Sequence, residues 1–252
     1  MKHCRIPLVG FLNMWLLSNN VLIKDSGLLE GMTDYHCHLL PGVDDGVQNL
    51  DETIEILKLW EQVGVKNVWL TPHIMEDIPN NPEDLNAQFE ILLKHYDGSI
   101  TLSLSAENMM DNLLSGRIKE KRLLPLGNKG EHLLVETSYF NPPYDMDEIL
   151  FAVRGLDYQP VLAHPERYDY MSIGDYESLK KHDIMFQLNI PSIVGVYGET
   201  VKKKAEMLLE KGYYDLYGTD THSIRFVKHF LQAKINKKTL KAVRELIESH
   251  QI

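Results

Sequence analysis

Two short elements at opposite ends of the chain place metal-ligating side chains two residues apart: His36-Cys37-His38 and Asp220-Thr221-His222. Residues i and i+2 of an extended strand share a face, so each pair can present two donors to one cation. Either pair alone is as well explained by half-buried side chains with ordinary hydrogen bonds. Their repetition favours a shared site, because closing a barrel brings the first and last strands together. Between them lie His73 in Thr71-Pro72-His73, Glu107, Glu136 after Leu133-Leu134-Val135, and His164 in Ala163-His164-Pro165-Glu166-Arg167. Asp44 and Asp45 stand in the loop Pro41-Gly42-Val43-Asp44-Asp45-Gly46. A carboxylate closing an apolar run is rarely buried unpartnered, which implies a cation or an arginine beside it. Imidazoles and carboxylates without thiolates suit Mn, Fe or Zn in a hydrolytic centre better than a structural zinc site.

These residues share a position in the pattern of elements. Short apolar runs at 33–38, 66–71, 100–106, 132–136, 160–164, 184–189 and 215–218 read as strands. Amphipathic segments at 51–63, 83–96, 147–154, 175–182, 200–211 and 240–249 read as helices. Helix 51–63 carries Ile54, Leu57 and Trp60 at helical spacing, and Pro82 stands where a helix at 83 would begin. Every candidate ligand ends a strand or follows one closely. In a barrel of parallel strands all such positions meet at the carboxyl rim.

The bulk properties narrow the partners. The 252 residues carry a formal net charge of −10, which disfavours a nucleic-acid backbone as ligand. Lys202, Lys203 and Lys204 lie on an expected helix and read as a solvated face. Two cysteines, Cys4 and Cys37, make no disulfide framework and fit a reducing, cytoplasmic compartment. Cys37 should point away from its flanking histidines as a small buried hydrophobe. The apolar stretch 6–17 is too short to span a bilayer and lacks a cleavage pattern, so no transmembrane segment is expected. Residues 1–31 are taken as an N-terminal extension and 32–252 as one domain.

Thr33-Asp34-Tyr35-His36-Cys37-His38 resembles the D-x-H-x-H opening of the polymerase-and-histidinol-phosphatase (PHP) superfamily. His38-Leu39-Leu40-Pro41-Gly42-Val43-Asp44-Asp45-Gly46, Thr71-Pro72-His73 and Ala163-His164-Pro165-Glu166-Arg167-Tyr168 narrow the likeness. They resemble the CpsB/CapC-like bacterial tyrosine-protein phosphatases, which act beside tyrosine kinases of capsule or exopolysaccharide synthesis. The resemblance implies an α/β fold, a distorted (β/α)7 TIM-like barrel. It also implies two or three divalent metals, with Mn first and Fe or Zn as alternatives. Their ligands would be His36, His38, Glu107 and Asp220 for one, Glu107, Glu136 and His164 for another, and Asp45, His73 and His222 for the third. Arg167 and a loosely matched Arg225 would face the phosphate, and Asp44 is a candidate proton donor. The expected reaction is hydrolysis of phosphotyrosine on a protein by a metal-bound hydroxide, with a bacterial tyrosine kinase as the expected substrate. The rival readings are a histidinol-phosphate or other small-molecule phosphomonoesterase, and a non-catalytic metal-binding interaction module.

Overall fold

A computed structural model describes residues 19–249 and 252. Cys4 and the apolar stretch 6–17 lie outside the described residues. In chain order the first elements are β1 (Asn20–Leu22), β2 (Thr33–Cys37), α1 (Leu50–Gln62), β3 (Asn67–Leu70), β4 (His73–Ile74) and α2 (Pro82–His95). There follow β5 (Thr101–Leu104), β6 (Glu107–Met109), α3 (Leu114–Lys119), β7 (His132–Glu136), α4 (Met146–Arg154) and β8 (Gln159–Ala163). The chain continues through α5 (Ile173–Lys181), β9 (Met185–Asn189), α6 (Ile190–Ile193), α7 (Glu199–Glu210) and β10 (Leu216–Gly218). It closes with α8 (Ile224–Gln232), β11 (Lys234–Asn236) and α9 (Lys237–Ser249).

The result is a mixed α/β fold around a curled parallel half-barrel of sheet. Six strands run in the order β10-β9-β8-β7-β6-β4 and three in the order β2-β3-β5. Every pair within these two sheets is parallel. Most of their apolar residues are buried, as helices flanking a parallel sheet require, with β5 the less covered edge. Leu133, Leu134 and Val135 of β7 are fully enclosed. Pro72 separates β3 from β4, since proline has no N–H for the ladder. The two sheets stay joined there, because Ser105 N donates to the Leu70 carbonyl at 2.8 Å and Glu107 N to the Pro72 carbonyl at 3.1 Å. At the other edge Thr219 N donates to the His36 carbonyl at 3.2 Å and His38 N to the Thr221 carbonyl at 2.9 Å. Gly218 makes that approach possible, since a Cβ there would overlap the His36 backbone and Cβ.

Helix starts follow local chemistry. Asn49 caps α1 by accepting the Glu52 N–H, and Asn81 caps α2 with Pro82 at its first position. A capping box of Ser172 and Asp175 starts α5 two residues before the expected 175. Trp60 on α1 is fully buried against Phe230 of α8, with ring centroids 6.4 Å apart. Burying such a side chain contributes about 1.5–3 kcal/mol.

The expected strands and helices are present, with ends shifted by a few residues. The sequence reading did not anticipate α3, α6, α8 or the β1–β11 pair. That pair is antiparallel, with Val21 opposite Ile235, and ties residues 20–22 to the far end of the chain. Ile23, Leu28 and Leu29, within the expected extension, are buried in the core. Lys204 departs from the solvated-face expectation, because its amine donates to the Tyr168 carbonyl at 2.6 Å.

Candidate metal centre

All nine residues expected as ligands gather at the carboxyl ends of the strands. They form four overlapping groups: His38, Asp45, His73 and His222; His36, His38 and Asp220; His36, Glu107 and His164; His73, Glu107 and Glu136. Within each group one donor atom per residue lies within 4.8 Å of all the others. Strand geometry explains the convergence. His36 on β2 and His38 just beyond it project to one face, while Asp220 and His222 follow β10, the strand drawn against β2.

The tightest convergence surrounds Glu107 Oε2. It lies 3.1 Å from His36 Nε2 and 3.2 Å from His38 Nε2, and Asp220 Oδ1 lies 3.5 and 3.3 Å from the same two nitrogens. The nitrogens themselves are 3.1 Å apart. Ligands held about 2.1 Å from one ion sit roughly 3.0 Å apart in octahedral and 3.4 Å apart in tetrahedral coordination. Each carboxylate oxygen, taken with the two nitrogens, therefore has the spacing of donors to a common cation. Glu107 extends further, with Oε1 3.0 Å from His164 Nε2 and Oε2 3.3 Å from His73 Nδ1. It can bridge two sites.

A second observation also fits a cation. His73 Nδ1 and Glu136 Oε1 are buried 2.9 Å apart, yet neither makes an aligned hydrogen bond to any described residue. Two such atoms side by side suit a shared ion. His73 also turns Nε2 to within 3.4 Å of Asp45 Oδ1, and His222 Nε2 lies 3.5 Å from that same oxygen. His73 thus spans two groups, whereas the resemblance gave it to the third site alone. Asp45 has 65% of its side chain exposed, so this group faces the opening and the Glu107 group lies deep.

Oxygen acceptors behind the histidines set which nitrogen faces inward. His36 Nδ1 donates to Gln187 Oε1 at 3.0 Å, His38 Nδ1 to Asp44 Oδ2 at 2.8 Å, and His222 Nδ1 to the Asp220 carbonyl at 2.8 Å. Each leaves Nε2 toward the cluster, as outer partners of metal-binding histidines do. Asp44 is therefore used differently from the proton donor suggested by sequence. It also accepts the Gly46 and His73 backbone N–H groups, each at 3.0 Å. Burial pushes its carboxyl up, but His38 and these hydrogen bonds bring it down to about 2. An anion so held orients ligands and has no proton to give at neutral pH. Gly46 is needed beside it, because a Cβ would collide with the His38 carbonyl.

The charges are mutually dependent. Burial opposes ionisation of Glu107 and Asp220, yet facing imidazoles hold both well below the usual carboxylate range. Burial likewise lowers His36, but Glu107 and Asp220 more than compensate and raise it to about 9. His164 and Asp220 adopt left-handed backbone conformations, with φ of 33° and 52°. Such conformations cost non-glycine residues about 1 kcal/mol or more and concentrate at functional sites.

Arg167 reaches the cluster from the turn Pro165–Arg167. Its Nη1 donates to Asp220 Oδ2 at 2.6 Å, on the opposite oxygen from the histidines. Glu166 does not pair with it; that carboxylate accepts the Asn189 N–H and the Tyr214 hydroxyl. The Arg167 guanidinium carbon lies 4.4 Å from the Tyr139 ring centroid and 4.3 Å from that of Tyr197. Arg225, by contrast, is exposed in the first turn of α8 and makes no ion pair with any described carboxylate. Cys37 is buried, free, and turned to the Trp69 carbonyl, away from the histidines. The sequence reading missed Gln187, Asn189, Tyr139 and Tyr197. Gln187 and Asn189 carried a signal: two polar residues at period two in an apolar strand.

A curled parallel sheet with a rim of histidines and carboxylates defines a metal-dependent hydrolase type of site. The chain belongs to the CpsB/CapC family of capsular polysaccharide synthesis, which matches residues 32–246. It is 26% identical over 226 residues to the putative tyrosine-protein phosphatase CapC of Staphylococcus aureus, covering 87% of this chain and 88% of that one. It is 24% identical over 202 residues to the tyrosine-protein phosphatase YwqE of Bacillus subtilis (strain 168), covering 77% and 78%. Among solved structures it matches one from work on YwqE of Bacillus subtilis and CpsB of Streptococcus pneumoniae, described as metal-dependent tyrosine phosphatases. There the TM-score is 0.66 at 22% identity, with 88% of this chain and 96% of the other covered, which shows a common fold.

Proposed function

We propose that this protein is a metal-dependent protein-tyrosine phosphatase. The carrying observation is that a Glu107 oxygen and an Asp220 oxygen each lie at ligand spacing from both His36 Nε2 and His38 Nε2. Family membership and relatives named as tyrosine-protein phosphatases support the substrate.

The nine clustered side chains would hold two or three divalent ions, Mn first, with Fe or Zn as alternatives. Glu107 would be shared between the deep sites, and Asp45, His73 and His222 would complete the one nearest the opening. When bound, the metals supply Lewis acidity and an activated water at neutral pH. The chain's own residues do the rest. Arg167 offers its remaining N–H groups to the phosphate oxygens, and a guanidinium fork matches two of them. Asp44 and Gln187 keep His38 and His36 oriented. A tyrosyl leaving group has a pKa near 10, so its departure needs less proton assistance than that of an alkyl alcohol.

The strands support a reading as a distorted (β/α)7 barrel when β3 with β4, and β5 with β6, each count as one broken strand. Residues 32–252 would be the catalytic domain and 1–31 an extension. The partner would be a phosphorylated bacterial tyrosine kinase. A cytoplasmic location suits a free thiol such as Cys37. Among the described residues no helix is long and apolar enough to cross a membrane.

The test is hydrolysis by Mn-loaded protein of phosphotyrosine peptides and histidinol phosphate side by side, with Glu107→Gln as control. Phosphotyrosine turnover that falls by orders of magnitude in Glu107→Gln supports the proposal. Preference for histidinol phosphate, or no turnover of either, refutes it.

A further inference from the structure

The surroundings of Arg167 contain more than an ion pair. The side chain is mostly buried, and its guanidinium carbon lies over two aromatic rings at 4.4 and 4.3 Å. A cation within about 6 Å of a ring centroid is attracted by the negative face, more strongly when water is excluded. Both rings are themselves held. Tyr139 stacks against Tyr168, with centroids 6.2 Å apart, and packs on the His164 ring at 5.8 Å. Tyr197 accepts a hydrogen bond on its hydroxyl from Asn189 Nδ2 at 3.2 Å. The same Nδ2 donates at 3.0 Å to Asp220 Oδ2, the oxygen that pairs with Arg167. Arg167, Asp220, Asn189 and Tyr197 therefore close a circuit, and Tyr139 supplies a second ring.

A free arginine side chain loses rotamer entropy on binding unless it is held beforehand. Rings packed over the guanidinium carbon restrict it by cation–π attraction, which uses none of its N–H groups and leaves them for hydrogen bonding. One of those meets Asp220, and the Arg167 guanidinium makes no other hydrogen bond to a described residue. The two tyrosines come from loops after different strands, Tyr139 after β7 and Tyr197 after β9 and α6, so the arrangement is a product of the fold.

We infer that Tyr139 and Tyr197 are positioning residues that hold Arg167 edge-on to the phosphate through cation–π contact. They act through Arg167 and not on the substrate. The inference rests on the phosphatase reading for its catalytic consequence but can also be read from phosphate binding alone. Removing either ring should weaken phosphate binding and lower kcat/KM by roughly three- to thirtyfold, given the usual strength of such contacts.

The experiment uses the full chain loaded with Mn. Calorimetry gives the Kd for inorganic phosphate, and steady-state kinetics with a phosphotyrosine peptide give kcat and KM. Tyr139→Leu and Tyr197→Leu are each made with Arg167 intact and in an Arg167→Met background. The expected result is a three- to thirtyfold loss with Arg167 intact and less than about twofold in Arg167→Met. Tyr139→Phe should recover most of the loss; Tyr197→Phe should recover less, because it gives up the Asn189 bond. Should a Leu variant fold poorly, phenylalanines carrying one, two and three ring fluorines at 139 and 197 keep the shape and drain the π face. Affinity falling stepwise with fluorination supports the clamp. Equal losses in both Arg167 backgrounds, neutral Leu variants, or a flat fluorination series overturn it. Wild-type protein that binds phosphate but leaves phosphotyrosine intact would refute the phosphatase reading while still deciding the clamp.

Discussion

Asp34 holds Thr219 at two points: Oδ1 accepts its backbone N–H at 2.8 Å and Oδ2 accepts its hydroxyl at 2.6 Å. The two residues are 185 positions apart, on β2 and just beyond β10. Thr219 immediately precedes Asp220, so this contact fixes how the two ends of the metal cluster face each other. Asp34 also accepts the His36 N–H at 3.3 Å.

Asp34→Ala should therefore damage both stability and the site. A hydrogen bond to a charged group contributes about 1.5–3 kcal/mol. Two are lost here, although the Thr219 N–H keeps the His36 carbonyl at 3.2 Å and its hydroxyl keeps that of Thr221 at 2.7 Å. We expect a loss of about 3 kcal/mol, roughly a 6–12 °C fall in Tm for a domain of this size. Metal affinity should fall with it. Thermal unfolding and metal titration check both, and an unchanged Tm would show that the contact contributes nothing to closure.

Asp44→Asn separates orientation from ligation. Asp44 touches the cluster through His38 Nδ1 and the His73 backbone, while His38 Nε2 faces Glu107. Losing such an outer partner typically costs ten- to 100-fold in metal affinity or activity. Activity measured against Mn concentration should show a curve displaced to higher metal by about that factor, with much of the turnover restored at saturation. An acid role would instead leave metal affinity intact and alter the pH profile.

The cluster was legible because strand ends are legible. His36, His38, Glu136 and His164 close apolar runs whose alternation or continuity marks them as strands, and imidazoles or carboxylates there have few uses besides a shared ligand. The support was less legible for physical reasons. Cation–π contact joins Arg167 to Tyr139 and Tyr197 across loops, and no local spacing encodes it. The three-residue strands β1 and β11 are too short to show a period. In α8 the pattern was available: Ser223 as N-cap, then Ile224, Val227 and Phe230 on one face. Pro72 did not announce that one strand would become two, because proline also opens turns.

Metal binding should release protons at neutral pH. In chelated protein His36 titrates at about 9, raised above its usual 6.5 by Glu107 and Asp220 against the effect of burial. Its positive charge therefore stabilises the metal-free fold fully below about pH 6.5, and that contribution is lost as pH rises through 9. A ligand imidazole must be neutral, so a cation has to displace the proton. Two outcomes follow: chelated protein should melt at higher temperature at pH 6.5 than at pH 10, and Mn affinity should rise with pH between them. Calorimetry at pH 7 in buffers of different ionisation enthalpy should report about one or more protons released per molecule. Binding without proton release would contradict the charge assignment.

Arg167→Lys asks whether this cation serves the phosphate or the fold. Its Nη1 pairs with Asp220 Oδ2, so a purely structural Arg167 would act by holding a ligand carboxylate in place. Asp220 has other support: Asn189 Nδ2 on the same oxygen at 3.0 Å, and His38 Nε2 at 3.3 Å from Oδ1. Lysine retains the charge but not the planar fork, and an ammonium replaces a bidentate contact with a point charge. Metal content should therefore stay near wild type while kcat/KM falls five- to 150-fold, about 1–3 kcal/mol of transition-state stabilisation. Measuring metal per protein beside phosphatase kinetics distinguishes the cases. Loss of activity in proportion to loss of metal would make Arg167 a support for Asp220, and unchanged kinetics would remove it from the chemistry. A fall in kcat/KM with full metal occupancy places its N–H edge on the phosphate.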